Sequence, residues 1–170
     1  MLDTMNATHT VIESPVGDLT VVAAEGAITG LYFARHLRAP ARDAIGVHTD
    51  TGFTEVARQL DEYFAGTRTE FDLPLAPVGN DFQQRVWALL TTIPYGETRS
   101  YGDLARSLGD PGLAQAVGSA NGRNPISIIV PCHRVVGADG SLTGYAGGLD
   151  RKRYLLELEE PAEVAAGRLF

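Results

Sequence analysis

The chain has 170 residues, of which 44% are hydrophobic and 21% charged, a composition that excludes a disordered chain or a fibrous repeat. Its single cysteine, Cys132, excludes an internal disulfide, and together with four scattered histidines it predicts no structural zinc site. No apolar run approaches the roughly 20 residues of a membrane helix, and residues 1–10 lack the features of a signal peptide. We therefore expect a cytoplasmic protein with no membrane partner.

The net charge of -7 is unevenly distributed along the chain. Residues 1–80 carry 5 basic and 11 acidic groups, residues 81–153 carry 8 and 6, and residues 154–170 carry 1 and 4. Nucleic-acid binding requires clustered lysine and arginine, and only the middle segment has a basic excess. The pattern permits DNA binding there, although an ordinary solvated surface explains it equally well.

The first half of the chain reads as a small sheet followed by a helix. Short apolar runs bounded by turn residues predict three antiparallel strands over residues 10–13, 19–24 and 27–34. Apolar residues at three- and four-residue spacing predict a helix over residues 53–64, and FDLPL at residues 71–75 looks like another strand. These elements predict an α/β domain with a small antiparallel sheet.

Two breakers and a helix-capping asparagine fall within residues 76–80, which predicts a linker there. The linker would separate an N-terminal domain of residues 1–75 from a C-terminal domain of residues 81–170. We expect the second domain to be mostly α-helical.

Helices dominate the predicted second domain. Asn80 and Gln83 form the pattern of a capping box at the start of a helix that Pro94 ends. Ser100 caps a short helix through Leu108, and a glycine-containing turn leads to a small-residue helix over residues 113–120. Two short helices joined in this way are typical of a winged-helix-like helix-turn-helix, although most such pairs are only packing units.

An apolar run over residues 126–130 predicts a strand that delivers Cys132 at its end. A reactive thiol needs a base, and His133 is the nearest one. Neighbours on a strand point to opposite faces, so a turn or a bridging water must connect them. A lone cysteine is more commonly a small buried apolar residue, and the spacing alone leaves both interpretations open.

The helix predicted over residues 150–160 places Glu159 on one face with Lys152 and leucines. A carboxylate on an apolar face requires a partner. Glu159 could orient and stabilise the His133 imidazole, or it could form a structural pair with Lys152 or an arginine.

The chain resembles the O6-alkylguanine-DNA alkyltransferases, suicide DNA-repair proteins, over about residues 81–159. The resemblance rests on a collinear set of motifs: FQQRVW at 82–87, IPYGET at 93–98, NP at 124–125, PCHRVV at 131–136, GY at 144–145 and GGL at 147–149. It implies a partner, double-stranded DNA containing O6-alkylguanine, and no cofactor. We expect a monomer without DNA, and cooperative binding along DNA stays open.

The resemblance also implies residue roles. Cys132 would attack the alkyl carbon on O6 of a flipped-out guanine and keep the alkyl group as a thioether. Glu159, His133 and a water would generate the thiolate. Tyr101 would donate a proton to guanine N3, and Asn124 would brace the turn that carries Cys132.

In this family the second helix of the helix-turn-helix lies in the minor groove, where the small residues Ala114, Gly118 and Ser119 would allow close approach. The resemblance further implies that Tyr145 and the adjoining glycine-rich loop close the base pocket. The remaining positions that it assigns to substrate or DNA binding are Asn121, Arg134, Val135 and Lys152.

Two positions depart from the family pattern. Gln115 stands where many members carry an intercalating arginine, so we expect weaker or slower extrusion of the base, because glutamine brings no charge and stacks less well. Ala146 stands where some members have serine, and a backbone N–H there could still reach O6.

Three other functions compete with alkyl transfer. A sensor that binds alkylated DNA without accepting the alkyl group is the nearest alternative, but those relatives lack the cysteine. A cysteine hydrolase needs an oxyanion hole and a base in direct contact with sulfur, and the sequence shows neither. A transcriptional regulator would leave Cys132, His133 and Glu159 unexplained.

Overall fold

The computed structural model describes residues 6–161, so residues 1–5 and 162–170, the outer ends of the two predicted domains, lie outside it. Three antiparallel strands form a meander as predicted: β1 (Thr8–Ile12), β2 (Leu19–Ala24) and β3 (Ala27–Phe33). A fourth strand, β4 (Val47–His48), pairs in parallel with β1 and makes the sheet mixed. Its two exposed residues are too few to show an alternating pattern, which is why the sequence did not reveal it.

Helix α1 (Thr54–Phe64) follows the sheet and buries Val56, Leu60 and Tyr63, close to the predicted bounds. The prediction of a strand at residues 71–75 is wrong. This segment makes a single bridge, in which Ile28 donates to the Pro74 carbonyl and accepts from Ala76. Pro74 has no N–H to continue the ladder, so the pairing stops there.

The second half contains the remaining elements: α2 (Asp81–Leu90), β5 (Arg99–Ser100), α3 (Tyr101–Ser107), α4 (Ala114–Gly122), β6 (Val135–Val136) and α5 (Leu149–Glu159). The side chains of Asn80 and Ser100 each complete a capping box, so both helix starts were predicted correctly. Helix α2 ends at Leu90, before Pro94, because a tighter turn satisfies the last carbonyls and still buries Ile93.

Helices α3 and α4 pack together across a short turn, which confirms the predicted helix-turn-helix. Gly109 has φ +94°, a conformation that an L side chain rarely adopts. Asp110 then accepts a hydrogen bond from the Gly112 N–H and begins a single 3₁₀ turn ahead of α4. The turn therefore fixes the angle at which α4 leaves α3.

The prediction of a strand over residues 126–130 is wrong, because these residues form a buried turn. Ile128 has φ +71°, outside the extended region, and the backbone bonds are local: Val130 N–H donates to Ile126, and Ile129 N–H donates to Ser127. Only Ile126 forms a bridge, to Leu31 of β3. Since β-branched apolar residues suit a strand and a buried turn alike, their pattern could not distinguish the two.

One hydrophobic core runs through both halves of the chain. Leu31 of β3 accepts from Ser127 and donates to Pro125, so the sheet is joined directly to the turn before Cys132. The Trp87 indole on α2 donates to the Ala120 carbonyl on α4 at 2.9 Å. Within residues 6–161, no helix is long and apolar enough to cross a membrane.

Candidate active site and DNA-binding face

Cys132 begins a 3₁₀ turn of three residues and is only 4% exposed. The amide of Asn124 fixes the chain that leads into it. Its Nδ2 donates to the carbonyls of Val130 (2.8 Å) and Ile126 (3.3 Å), and its Oδ1 accepts from the Ile126 N–H (3.0 Å). One buried side chain thus replaces the ladder bonds that a strand would have supplied.

The surroundings of the thiol act on its pKa in opposite directions. Burial raises the pKa of Cys132, while the Asn124 amide, the Lys152 ammonium and the Tyr145 hydroxyl lower it, and the net shift is upward. A resting thiol is therefore protonated at neutral pH. It needs a base at the moment of reaction.

His133 is fully buried beside Cys132, and its Nε2 lies 2.7 Å from Oε2 of Glu159. Burial lowers the pKa of His133, and the Glu159 carboxylate opposes that shift. A neutral imidazole next to a carboxylate carries its proton on the facing nitrogen, so Nε2–H donates to Glu159 and Nδ1 is left as the acceptor. Nδ1 has no hydrogen-bond partner among the described protein atoms, so it is available to take a proton.

Glu159 is 2% exposed and accepts four hydrogen bonds. Besides His133, Arg134 donates from Nε to Oε1 at 2.7 Å and from Nη2 to Oε2 at 3.1 Å, and the Tyr63 hydroxyl donates to Oε2 at 2.5 Å. Burial alone would raise the pKa of Glu159, but His133 and Arg134 outweigh it and lower the pKa to about 2. The structure thus contains both pairings considered from the sequence, one with histidine and one with arginine.

Sequence reasoning missed Tyr63. It lies on α1, 96 positions from Glu159, and its spacing on that helix is that of an ordinary core residue. No local pattern connects the two residues, so only the tertiary structure reveals the contact.

Lys152 lies on the same face of α5 as Glu159, as predicted, but Glu159 is not its hydrogen-bond partner. Its fully buried side chain donates from Nζ to the Thr143 carbonyl at 3.2 Å and to Thr143 Oγ1 at 3.5 Å. Thr143 Oγ1 is also 2.5 Å from the Tyr101 hydroxyl. Burial lowers the pKa of Lys152 to about 8, and the nearby Cys132 opposes that shift. Thr143 is a second residue that the sequence did not single out.

The loop after Thr143 lies against the N-terminal half. The ring of Tyr145 packs on Phe33 with centroids 5.9 Å apart, and the Ala146 carbonyl accepts from the Leu37 N–H at 2.8 Å. A Cβ on Gly147 would come within 2.4 Å of the Phe33 ring. Glycine at 147 therefore lets the loop approach β3 closely.

The predicted DNA-binding residues of α4 share one helix face. Gln115 and Ser119 are exposed, and Ala114 and Gly118 are half-buried. Gly118 lies over the half-buried ring of Tyr101, which a Cβ there would contact at 3.6 Å. The exposed face of α4 and the phenol are thus neighbours.

The other predicted binding residues lie inside the protein. Asn121 donates from Nδ2 to the Cys132 carbonyl at 3.4 Å, Arg134 also donates from Nη1 to the Ile93 carbonyl at 2.7 Å, and Val135 is fully buried in β6. Together with Lys152, these residues surround the turn of Cys132 and are separate from the exposed face of α4. Across residues 6–161, no group of three histidine, cysteine or acidic residues could hold a metal ion.

Comparison with known proteins assigns the chain to a family. Residues 8–77 match the 6-O-methylguanine DNA methyltransferase ribonuclease-like domain, and residues 81–161 match the DNA binding domain of the same family. The methylated-DNA--protein-cysteine methyltransferase of Mycobacterium tuberculosis is 54% identical over 162 residues, covering 94% of this chain and 96% of the relative. The protein of that name from Methanosarcina barkeri is 50% identical over 152 residues, covering 89% and 96%.

A solved structure agrees with this assignment. The crystal structure titled Mycobacterium tuberculosis OGT in complex with DNA superposes with a TM-score of 0.86 at 53% identity, covering 89% of this chain and 92% of that one. Sequence and overall fold agree, and the chain belongs to the 6-O-methylguanine DNA methyltransferase family.

Proposed function

We propose that the protein repairs duplex DNA by transferring an alkyl group from O6 of guanine to the sulfur of Cys132 in a single, irreversible turnover. The contact that carries this proposal is the 2.7 Å hydrogen bond between His133 and Glu159, immediately beside the buried Cys132. The names of the relatives and the solved complex with DNA support the same chemistry.

In the proposed first step, the free Nδ1 of His133 takes the thiol proton through a bridging water. The resulting imidazolium is stabilised by Glu159, which stays ionised because Arg134 and Tyr63 donate to it. The Lys152 ammonium then stabilises the thiolate, since its charge favours an anion at Cys132. The sulfur can now displace guanine from the alkyl carbon.

The leaving base needs a proton, and we assign its donation to guanine N3 to Tyr101. This phenol lies beneath the face of α4 that contains Gly118, where an everted nucleotide would enter. Tyr145 and the backbone at Ala146 would close the pocket on the other side of the base.

We also propose that α4 enters the minor groove through Ala114, Gln115, Gly118 and Ser119. The contacts that it makes would offset the few kcal/mol that base extrusion costs. Asn121, Arg134 and Val135 lie around the cysteine turn, and we retain them with Lys152 as proposed binding positions for the everted base.

We propose that residues 76–80 form a linker between an N-terminal domain of residues 1–75 and a C-terminal domain of residues 81–170.

We further propose that the protein works in the cytoplasm. DNA repair by a reduced thiol suits that compartment, where free cysteines are not oxidised to disulfides.

The decisive experiment incubates the protein with a duplex containing a single O6-methylguanine and maps the mass of the Cys132 peptide. We expect a gain of one methyl group per chain, an unmodified guanine in the DNA and no second turnover. Cys132→Ser should bind the same duplex and gain nothing. Repeated turnover would instead indicate a hydrolase, and binding without a mass change in the unaltered protein would indicate a sensor.

A further inference from the structure

We propose that Thr143 is a positioning residue for alkyl transfer, whose hydroxyl holds the phenol of Tyr101 with its proton directed at the leaving base. The inference rests on the proposed function and concerns its second half, the departure of guanine. Neither the family match nor the names of the relatives assign any role to Thr143.

The contacts of Thr143 favour one direction for its hydrogen bonds. Lys152 Nζ lies 3.2 Å from the Thr143 carbonyl and 3.5 Å from Oγ1, and an ammonium group can only donate. Its pKa of about 8 leaves Lys152 charged at neutral pH. Thr143 Oγ1 therefore accepts from Lys152, and its single proton is free for the Tyr101 oxygen at 2.5 Å.

This direction matters for Tyr101. A phenol has one proton, and if Tyr101 donated it to Thr143, none would face the substrate. We assign the Thr143 proton to the phenol oxygen, which lets the Tyr101 proton turn toward the proposed site of the base beneath α4. The same bond stabilises the negative charge that grows on the phenol oxygen as the proton leaves.

With a methyl substrate, sulfur forms a bond to the methyl carbon while the bond from that carbon to O6 breaks, and the electron pair spreads from O6 into the purine ring. N3 takes the Tyr101 proton, which gives neutral guanine and a phenolate held by the Thr143 hydroxyl. The phenolate recovers a proton from water once the DNA is released.

The test measures the single-turnover rate of methyl transfer at saturating duplex. We expect Thr143→Val to lower this rate at least tenfold, with DNA affinity changed less than twofold, and Thr143→Ser to retain at least half the rate. Thr92→Val is the control, because the Thr92 hydroxyl lies on an exposed turn and its one side-chain hydrogen bond within residues 6–161 is to the Leu89 carbonyl. Should valine at 143 prevent folding, Thr143→Ala removes the same hydroxyl with less bulk.

A double-mutant cycle with Tyr101→Phe separates this role from simple support of the fold. If Thr143 acts through Tyr101, adding Thr143→Val to Tyr101→Phe lowers the rate no further. The proposal is overturned if the two losses multiply, or if Thr143→Val transfers methyl at the normal rate. An unaltered protein that gains no methyl group would contradict the proposed function itself, which is a different result.

Discussion

Glu159 is the residue on which the electrostatics of the site depend. It accepts hydrogen bonds from His133, Arg134 and Tyr63 in a region almost closed to solvent. Buried charges are tolerated only when they are paired, and the lowered pKa of Glu159 means that ionisation of this carboxyl favours the folded state. One side chain thus links the pH dependence of stability to catalysis.

The pKa of about 2 in the folded protein is below the ordinary 4.5. This contribution to stability is therefore fully present above pH 4.5 and is lost as the pH falls toward 2, a change of about 3 kcal/mol. We expect Glu159→Gln to be about 3 kcal/mol less stable than the parent at pH 7, with the gap closing in acid. Urea unfolding at pH 7, 5, 4 and 3 measures it.

Glu157→Gln provides the control, since Glu157 is exposed on the same helix α5. Its stability should stay within about 0.5 kcal/mol of the parent at each pH. A Glu159→Gln protein as stable as the parent at pH 7 would show that the carboxylate does not stabilise the folded state.

Methyl transfer by Glu159→Gln should also be slowed at least tenfold, because the imidazolium loses its counter-charge.

At the scale of elements, the turn before Cys132 shows what the sequence could and could not predict. Capping residues such as Asn80 and Ser100 act on their own helix, so local pattern was sufficient to find them. The run from Ile126 to Val130 takes its shape from Asn124 and from a bridge to β3, and neither is visible in its own periodicity. The predicted strand failed for that reason.

The same distinction applies to the site. Cys132, His133 and Glu159 were found because motif and helix periodicity marked them, and the structure brings His133 and Glu159 together. Tyr63 and Thr143 were missed. Each reaches the site through a contact distant in the chain, which the pattern of a single element cannot contain.

Asn124→Ala tests the architecture of the turn. Alanine removes three hydrogen bonds and leaves the buried Ile126 N–H without its partner, whereas the carbonyls of Ile126 and Val130 each keep one backbone bond. We therefore expect a loss of about 2–4 kcal/mol in the free energy of unfolding. Because the amide also lowers the pKa of Cys132, the thiol should ionise at higher pH, as ultraviolet titration of the thiolate would show.

Asn80→Ala is the matched change at an exposed helix start. It should cost about 1 kcal/mol through loss of a cap and leave the thiol titration unaltered. If Asn124→Ala is no worse than Asn80→Ala on both measures, Asn124 does not hold the turn.

Helix α4 supports a second prediction at this scale. Gln115 is exposed beside Ser119, so an arginine there meets no steric obstacle within the protein. We expect Gln115→Arg to bind duplex DNA more tightly, with a steeper dependence on salt, and to transfer methyl faster, because a cation contacts phosphates and stacks in the gap left by the flipped base. Filter binding at several salt concentrations and single-turnover rates measure the effect. If neither affinity nor rate changes, glutamine is no handicap at this position.

For the molecule as a whole, the shared core matters more than the predicted linker. Leu31 is hydrogen-bonded across to Pro125 and Ser127, and Tyr63 of the first half reaches Glu159 of the second. Opening either half would expose apolar surface of the other, which makes unfolding cooperative. The two sequence halves should therefore behave as one thermodynamic unit.

Thermal unfolding tests this directly. Far-ultraviolet circular dichroism reports on both halves, whereas the single tryptophan, Trp87, reports only on the second. We expect the two signals to give the same midpoint temperature. Midpoints several degrees apart would show that the halves unfold separately, in spite of the continuous core.

Cys132 is nearly inaccessible to solvent and is the only cysteine in the chain, so a count of free thiols reports directly on the state of this residue. A colorimetric sulfhydryl reagent should react with few thiols in the native protein and with one thiol per molecule in denaturant. A molecule whose sulfur has become a thioether would not react with the reagent in either condition. The difference between the two readings then gives the unspent fraction of any preparation, without labelled DNA.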